Sequence, residues 1–250
     1  MLILLPASER KTPVTRGKPF ELDRLSFPAL AATRSAVLDA LAEVSAGPDA
    51  LRRLDVRASL SDLVRANVTL GEAPAAPAGT VYVGPLYEGL GLADLDAASR
   101  RRALAWIVVV SALWGAVRLG DRIPAYRLNM CGRLPGLAHL PDVWRAPLTG
   151  VLPAAARRGL IVDCRSAEYA TAWRPAGELA ERTLVVKLRA SSHDAKYLRG
   201  RLARRIVTDA LDPQQPEELV NALSENFKVD LQSPARAGRS WELRVIEALD

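Results

Sequence analysis

Apolar runs along the chain alternate with polar stretches punctuated by proline and glycine. Leu2 to Leu5 is a short apolar run ended by Pro6 and predicts a first strand. Residues 6–27 lack periodicity and carry Pro13, Gly17 and Pro19, which predicts a loop. Pro28 stands where the first turn of a helix tolerates proline. Leu30, Val37, Leu38, Leu41 and Val44 then form the apolar stripe of a helix ending near Gly47. Residues 49–70 read as shorter helices with Ser59 or Ser61 as caps, and Ala73 to Gly79 as a Pro/Ala spacer. Val81 to Leu90 mixes apolar residues with Tyr82, Gly84, Tyr87 and Gly89. Asp94 to Ala105 predicts a helix that opens with acids and closes on Arg100, Arg101 and Arg102, in accord with the helix dipole.

Trp106 to Val110 is β-branched and aromatic, as a central strand requires. Residues 115–136 predict a long loop region, Pro141 to Ala156 a helix, Leu160 to Cys164 a strand, and Thr183 to Arg189 another. His193 to Leu211 and Glu217 to Asn226 predict two helices joined through Asp212-Pro213-Gln214-Gln215-Pro216. Phe227 to Leu231 and Trp241 to Ile246 predict an antiparallel pair. Strands and helices are interspersed without clean β-α-β alternation, and no internal repeat is evident. The pattern predicts one α+β domain over 1–250, a mixed sheet with surrounding helices.

Composition narrows the partners. With 49% apolar and 25% charged residues the chain is ordinary for a globular protein. The longest largely apolar run, Ala103 to Val117, is too short to cross a bilayer, and the opening run is too short for a signal-peptide core. A cytosolic protein without membrane contact is expected. Cys131 and Cys164 are far apart and make no disulfide framework. His139 and His193 pair neither with each other nor with the cysteines at metal-ligand spacing, so neither a metal site nor a bound cofactor is expected. The net charge of +6, from 34 basic and 28 acidic side chains, favours an anionic partner. The excess of arginine over lysine and the abundance of alanine are also what a GC-rich genome would produce.

Four stretches carry candidate chemistry. Pro6 to Lys11 gathers Ser8, Glu9, Arg10 and Lys11 behind the first strand, a hydroxyl, a carboxylate and cations able to hold an anion or move a proton. It lacks the glycines of a Walker-type phosphate loop. Asp121 to Met130 offers Asp121, Arg122, Tyr126 and Arg127, with Pro124 stiffening the approach. In an extended segment Tyr126 and Arg127 point to opposite faces, so only one of them would face a given cleft. An arginine buried near Asp121 would form a structural ion pair. In Arg165-Ser166-Ala167-Glu168-Tyr169, Ser166 is placed to cap the next helix, leaving backbone N–H groups for an anion. Cys164 is expected to pack inward.

The fourth stretch is the basic late helix. Lys187 to Asp209 contains seven Lys/Arg against two Asp, an excess of five positive charges. At about 100° per residue, Ala195, Leu198, Leu202 and Ile206 share an apolar face, with Arg201, Arg204 and Arg205 opposite, toward solvent. Lys196 and Arg199 share a flank that could line a cleft, and Gly200 is where a backbone or ligand can approach closely. With the next helix it makes a hairpin shape able to grip phosphates, without the Gly-x-Gly turn of a strong helix-hairpin-helix motif. A solvated charged face is the alternative.

Leu4-Leu5-Pro6-Ala7-Ser8-Glu9-Arg10-Lys11-Thr12, Val110 to Gly115 leading into Asp121 to Met130, Arg165 to Tyr169, and Asp194-Ala195-Lys196-Tyr197-Leu198-Arg199-Gly200 occur in this order. Together they resemble the YaaA family of peroxide-stress proteins, over nearly the whole chain. The resemblance implies a single α+β domain of unusual topology with a positively charged cleft and a helix-hairpin-helix-like element. It further implies DNA binding and a role in limiting iron-driven damage under peroxide. The cleft residues it implies are Ser8, Lys11, Asp121, Tyr126, Arg127, Ser166, Glu168, Tyr169, Lys196 and Arg199. Arg10 and Cys131 stand where the family pattern has glycine, either by drift or as marks of a specialised paralogue with a reshaped pocket.

The first expectation is therefore a cytosolic protein that binds double-stranded DNA in the peroxide-stress response, through Lys196, Arg199, Gly200 and Arg204. The second is an enzyme on the same scaffold, a lyase, hydrolase or transferase taking a nucleoside- or nucleotide-like small molecule in a basic cleft. There Ser8, Glu9, Tyr126 and Arg127 would converge as catalytic candidates. A third is a partner protein whose basic face docks on an acidic protein.

Overall fold

The computed structural model describes residues 1–188 and 192–248. Its organising feature is a seven-stranded mixed sheet of strands β1 (Leu2–Pro6), β2 (Ile107–Ser111), β3 (Gly115–Arg118), β4 (Ile161–Asp163), β5 (Thr183–Leu188), β6 (Phe227–Gln232) and β7 (Trp241–Ala248). Their spatial order is β3-β2-β1-β4-β5-β7-β6. The five inner strands run parallel, and β3 and β6 are added antiparallel at the two edges. The fold is α+β with a mixed sheet, as the sequence pattern predicts.

The middle of the sheet is apolar on both faces. Leu2, Ile3, Leu4 and Leu5 of β1 and Ile107 to Val110 of β2 are all buried, the continuous hydrophobic run that a covered parallel strand requires. Ile3 pairs with Ile107 on one side and with Val162 on the other. The main helices are α1 (Ala31–Ala46), α2 (Pro85–Leu90), α3 (Ala97–Trp106), α4 (Leu140–Ala156), α5 (Ser192–Thr208) and α6 (Pro216–Leu223). Apolar side chains from these helices and the strands join one core cluster that runs from Leu2 to Val245.

The chain crosses to opposite sides of β1: β2 lies beside it on one flank and β4 on the other. In open parallel sheets the crevice beyond the carboxyl ends of the strands, at such a reversal, is where ligands bind. The segments that leave those ends are Ala7 to Lys11 after β1, Ala112 to Trp114 after β2, and Cys164 to Tyr169 after β4. Helix α5 follows β5.

Several local expectations are corrected. Helix α3 runs through Trp106, so β2 begins at Ile107. Its cap is Asp96, which accepts the N–H groups of Ala98 and Ser99, and the three arginines sit mid-helix. Arg102 donates to Val207 O and Thr208 O, so it ties the end of α5 to α3. Residues 115–136 are not all loop: β3 lies there, as does Arg122–Ile123, which pairs with Ala76–Pro77 of the spacer. Neither Ser59 nor Ser61 is an N-cap; Arg57 and Leu60 hold those positions, and Ser61 closes the 58–60 turn at its C-terminal end. Helix α6 starts one residue early, at Pro216, and ends at Leu223, where Ser224 succeeds it. Arg189, the last residue of the predicted strand Thr183 to Arg189, lies outside the described residues.

Helices α2 and α5 cross at two glycines. A Cβ on Gly200 would overlap Leu86 O and meet Leu90 N at 2.7 Å; one on Gly89 would overlap Tyr197 O and meet Arg201 N at 3.1 Å. The two backbones touch directly, which only glycine permits. Helix α5 packs chiefly on α2 and α3, whereas α6 packs on β6.

Candidate functional site at the carboxyl edge of the sheet

The loop after β1 is held on both sides. Ala7 N–H continues the strand pairing by donating to Val110 O, and Thr12 N–H donates to Val81 O. Lys11 bridges Tyr82 in antiparallel fashion. Ser8 Oγ accepts Val83 N–H at 3.2 Å and donates to Arg10 O. This fixes the Lys11 side chain. Its Nζ donates to Ser8 O at 2.7 Å and lies 3.9 Å from the Tyr126 ring centroid and 5.6 Å from that of Tyr82.

Beneath Lys11 lies a chain of hydroxyls. Ser111 Oγ, at the end of β2, accepts the N–H groups of Leu113 and Trp114 and sits 2.7 Å from Tyr126 Oη. Tyr126 Oη is 3.1 Å from Tyr82 Oη. With both lone pairs of Ser111 occupied, its proton points to Tyr126. Tyr87 donates to Pro6 O at 3.0 Å, and its ring stacks on that of Tyr82 at 5.4 Å.

Glu9 and Arg127 form the second half of the site. Arg127 Nη2 is 3.0 Å from Glu9 Oε2, and its Nη1 donates to Glu9 O at 3.1 Å. Arg127 is buried, and among the described residues its Nε has no acceptor. Tyr126 lines the cavity beside Lys11, whereas Arg127 stands behind it and acts on Lys11 through its charge. Residues 124–129 are not in a strand, so no neighbouring strand holds them. The buried Asn67 clamps Arg127 instead, accepting its N–H and donating to its C=O at 2.9 Å each.

Burial sets the electrostatics. Desolvation, with the Arg127 charge next in size, lowers the Lys11 ammonium to about 7, against a smaller opposing pull from Glu9. Desolvation pushes Tyr126 up to about 12, and Tyr82, Tyr87 and Tyr169 well above their ordinary value. All four phenols are therefore neutral donors at neutral pH. Tyr169 is buried and feels Tyr126, Glu9 and Arg127, so the segment after β4 belongs to the same edge.

The remaining sequence candidates fall as follows. Ser166 stands at the N-cap of the short helix Ala167–Ala170, but its side chain makes no capping bond. Glu168 is exposed and accepts from Cys131 Sγ at 3.4 Å. Asp121 accepts from Ser26 N, Ser26 Oγ and Arg118 N, a tie between loops. The arginine buried beside it is Arg34, not Arg122. Arg34 donates to Trp114 O, Ser26 O and Ala116 O, and desolvation lowers it to about 10 against the Asp121 charge. Burial raises both cysteine thiols, Cys164 to about 12.

On α5, Lys196 is exposed and Gly200 is buried under α2. Arg199 is half-buried, acts on the Cys164 thiol, and has a buried Nε with no acceptor. Arg204 donates to Leu90 O and Gly91 O, closing the end of α2. Arg205 pairs with Asp209 and reaches Glu225 at 3.8 Å. Arg201, Arg204 and Arg205 are half-buried rather than solvated. They line an open groove of about 490 Å³ that also carries Glu88, Asp94 and Tyr197.

The family model described as peroxide stress protein YaaA matches residues 1–233. This chain belongs to that family. It is 46% identical over 255 residues to a UPF0246 protein of Streptomyces coelicolor, covering 98% of both chains. A UPF0246 protein of Corynebacterium efficiens is 36% identical over 216 residues, 83% of this chain and 85% of its own. One from Corynebacterium glutamicum is 31% identical over 229 residues, 88% and 91% respectively. Family membership supports a role in peroxide stress. Among the described residues no helix is long and apolar enough to cross a membrane, and no group of three or more His, Cys, Asp or Glu is placed to hold a metal ion.

Sequence reasoning reached Ser8, Glu9, Lys11, Tyr126, Arg127 and Tyr169 but missed Tyr82, Tyr87, Ser111, Asn67 and Arg34. Ser111 was visible as the polar residue ending an apolar run, and Tyr82 and Tyr87 as aromatics in a glycine-rich stretch. Asn67 and Arg34 carry no local signal, since their partners lie 60 and 80 residues away.

Proposed function

We propose that this peroxide-stress family member takes a small, nucleotide-like anionic compound at the carboxyl edge of its sheet and acts on it by acid–base chemistry. The observation that carries the reading is the convergence around Lys11. Ser8 and Glu9 after β1, Ser111 after β2, Tyr126 and Arg127 beyond β3, and Tyr169 after β4 meet at one place. Of these, Glu9 and Tyr126 line, with Lys11, a cavity of about 200 Å³ with walls from Val14, Leu70, Pro74 and Ala125, and the others stand behind them. A poised amine, a neutral phenol donor and a buried arginine whose charge reaches that amine are the parts such chemistry needs. That charge favours an anion, and the apolar wall would take a base or sugar face.

The test is a thermal-shift series with mononucleotides and nucleosides on wild type and Arg127→Lys. Stabilisation of the wild type by at least one nucleotide, reduced in the variant, is expected. No shift with any member up to millimolar concentration, in a folded wild type, overturns the reading.

Duplex DNA binding is the second reading, favoured by one observation: Tyr197 is an exposed aromatic beside Arg201, on the same helix as exposed Lys196. An aromatic among cations is the arrangement that stacks bases and tracks phosphates. Because Arg204 closes the end of α2, it is left in place, and Lys196→Glu with Arg201→Glu is the informative variant. Fluorescence anisotropy at two salt concentrations should show salt-sensitive binding lost in that variant. Unchanged affinity sinks the assignment of α5.

A further inference from the structure

Lys11 has features that anion binding does not require. Its ammonium would normally be drawn to the nearest carboxylate, yet Glu9 is turned to Arg127 at 3.0 Å. The only hydrogen bond from Nζ among the described residues goes to a carbonyl, Ser8 O. Two aromatic rings and an apolar cavity wall surround it. A half-buried amine kept from carboxylates, against aromatic rings and beside a second cation, is the arrangement that activates lysine as a nucleophile.

We propose that Lys11 forms a Schiff base with the aldehyde or ketone of a small anionic carbonyl compound, such as a phosphorylated open-chain sugar. This rests on the reading that the edge cavity takes a small anionic ligand, and it names the ligand's reactive group. The Nζ lone pair attacks the carbonyl carbon, forming the C–N bond while the oxygen takes up a proton. Loss of the amine proton and departure of that oxygen as water leave the imine. Carbonyl compound and amine give imine and water, with no change of oxidation state and no further reactant. Arg127, whose charge reaches Lys11 from behind the cavity wall, favours the anionic end through its field, and the neutral phenol of Tyr126, which lines the cavity, supplies a proton without competing as a nucleophile.

The lowered pKa supports the geometry: at pH 7 a large fraction of Lys11 is the free amine, whereas an ordinary lysine near 10.4 is almost wholly protonated. The chain has four other lysines to serve as internal controls, Lys18, Lys187, Lys196 and Lys228.

The experiment is reductive trapping of the full chain at pH 7 with ribose 5-phosphate and cyanoborohydride, read by peptide mass spectrometry. The expected result is labelling of Lys11 at least tenfold faster than the most reactive other lysine, suppressed by inorganic phosphate and lost in Lys11→Arg. Since that variant risks altered folding, Arg127→Lys is measured alongside and should slow labelling of Lys11 alone. Labelling spread evenly over the five lysines, or fastest at exposed Lys196, overturns the proposal. If nucleotides still stabilise the protein while trapping at Lys11 fails, the Schiff base falls and the binding pocket stands. If neither occurs, both fall.

Discussion

Asn67 closes both backbone hydrogen bonds of Arg127, accepting its N–H and donating to its C=O at 2.9 Å each, although the two residues are 60 apart in sequence. A side-chain amide thus replaces a neighbouring strand. It positions the guanidinium over Glu9 and leaves Tyr126 on the hydroxyl chain. Replacing Asn67 with Ala strands a buried donor and a buried acceptor, each costing about 1–3 kcal/mol. The expected loss is roughly 2–5 kcal/mol in urea unfolding, with a larger loss of nucleotide stabilisation than a surface substitution of equal size gives. An Asn67→Ala variant as stable as wild type would remove the clamp from this account.

Much of the fold was legible because it is written in local patterns. The buried run Ile107 to Val110 has no polar interruption, and a central parallel strand is the element that tolerates this. The loop chemistry was legible in part. Ser8, Glu9 and Lys11 stand together in sequence, so their proximity needed no tertiary knowledge. What stayed hidden is long-range pairing. Arg102 looked like a dipole partner within its own helix, yet it bonds to Val207 O and Thr208 O over a hundred residues away. Tyr126 lines the cavity and Arg127 does not, but the group that holds Arg127 in place is the side chain of Asn67, which nothing local announces. Arg204 looked solvated because helical periodicity reports which face is polar, not whether that face meets another helix end.

The glycines of two helices should respond with opposite sign. Gly200 of α5 lies under α2, where an added methyl group overlaps Leu86 O and the Leu90 amide. Gly200→Ala should destabilise by about 1–3 kcal/mol through overpacking, or more if α2 detaches. Gly150 lies inside α4 with nothing within 4 Å of an added Cβ. Gly150→Ala should stabilise by about 0.5–1 kcal/mol through helix propensity alone. Thermal unfolding of the two variants under one condition checks both. Equal effects would contradict the close α2–α5 approach.

The cysteines should behave as poor peroxide sensors. Thiolates react, thiols do not, and both thiols are raised by burial. Cys131 is exposed, but Glu168 beside it disfavours the anion further. With a chromogenic disulfide at pH 7.5, one thiol should react, more slowly than free cysteine. The second, Cys164, should react only after unfolding. Glu168→Gln should speed Cys131 and leave Cys164 unchanged. Two fast thiols in the native protein would show that the environment of neither has been read correctly.

Stability itself should carry the signature of Lys11. Its folded pKa is about 7, below its ordinary value of 10.5, chiefly because burial penalises the ammonium. Between those two values the unfolded chain binds more protons than the folded one, so this group makes stability rise with pH. Below about pH 7 both states are protonated and the folded protein bears the full cost of burying the charge; above about 10.5 both are neutral and the cost is gone. Lys11→Met removes the group while keeping an unbranched apolar stem. Relative to wild type, the variant should therefore be most favoured at and below pH 7, with the advantage shrinking steadily toward pH 10. Urea unfolding of both proteins at pH 6, 8 and 9.5 measures the difference. A difference that stays constant across that range would mean that Lys11 keeps an ordinary ammonium, and the amine would then have no special standing as a nucleophile.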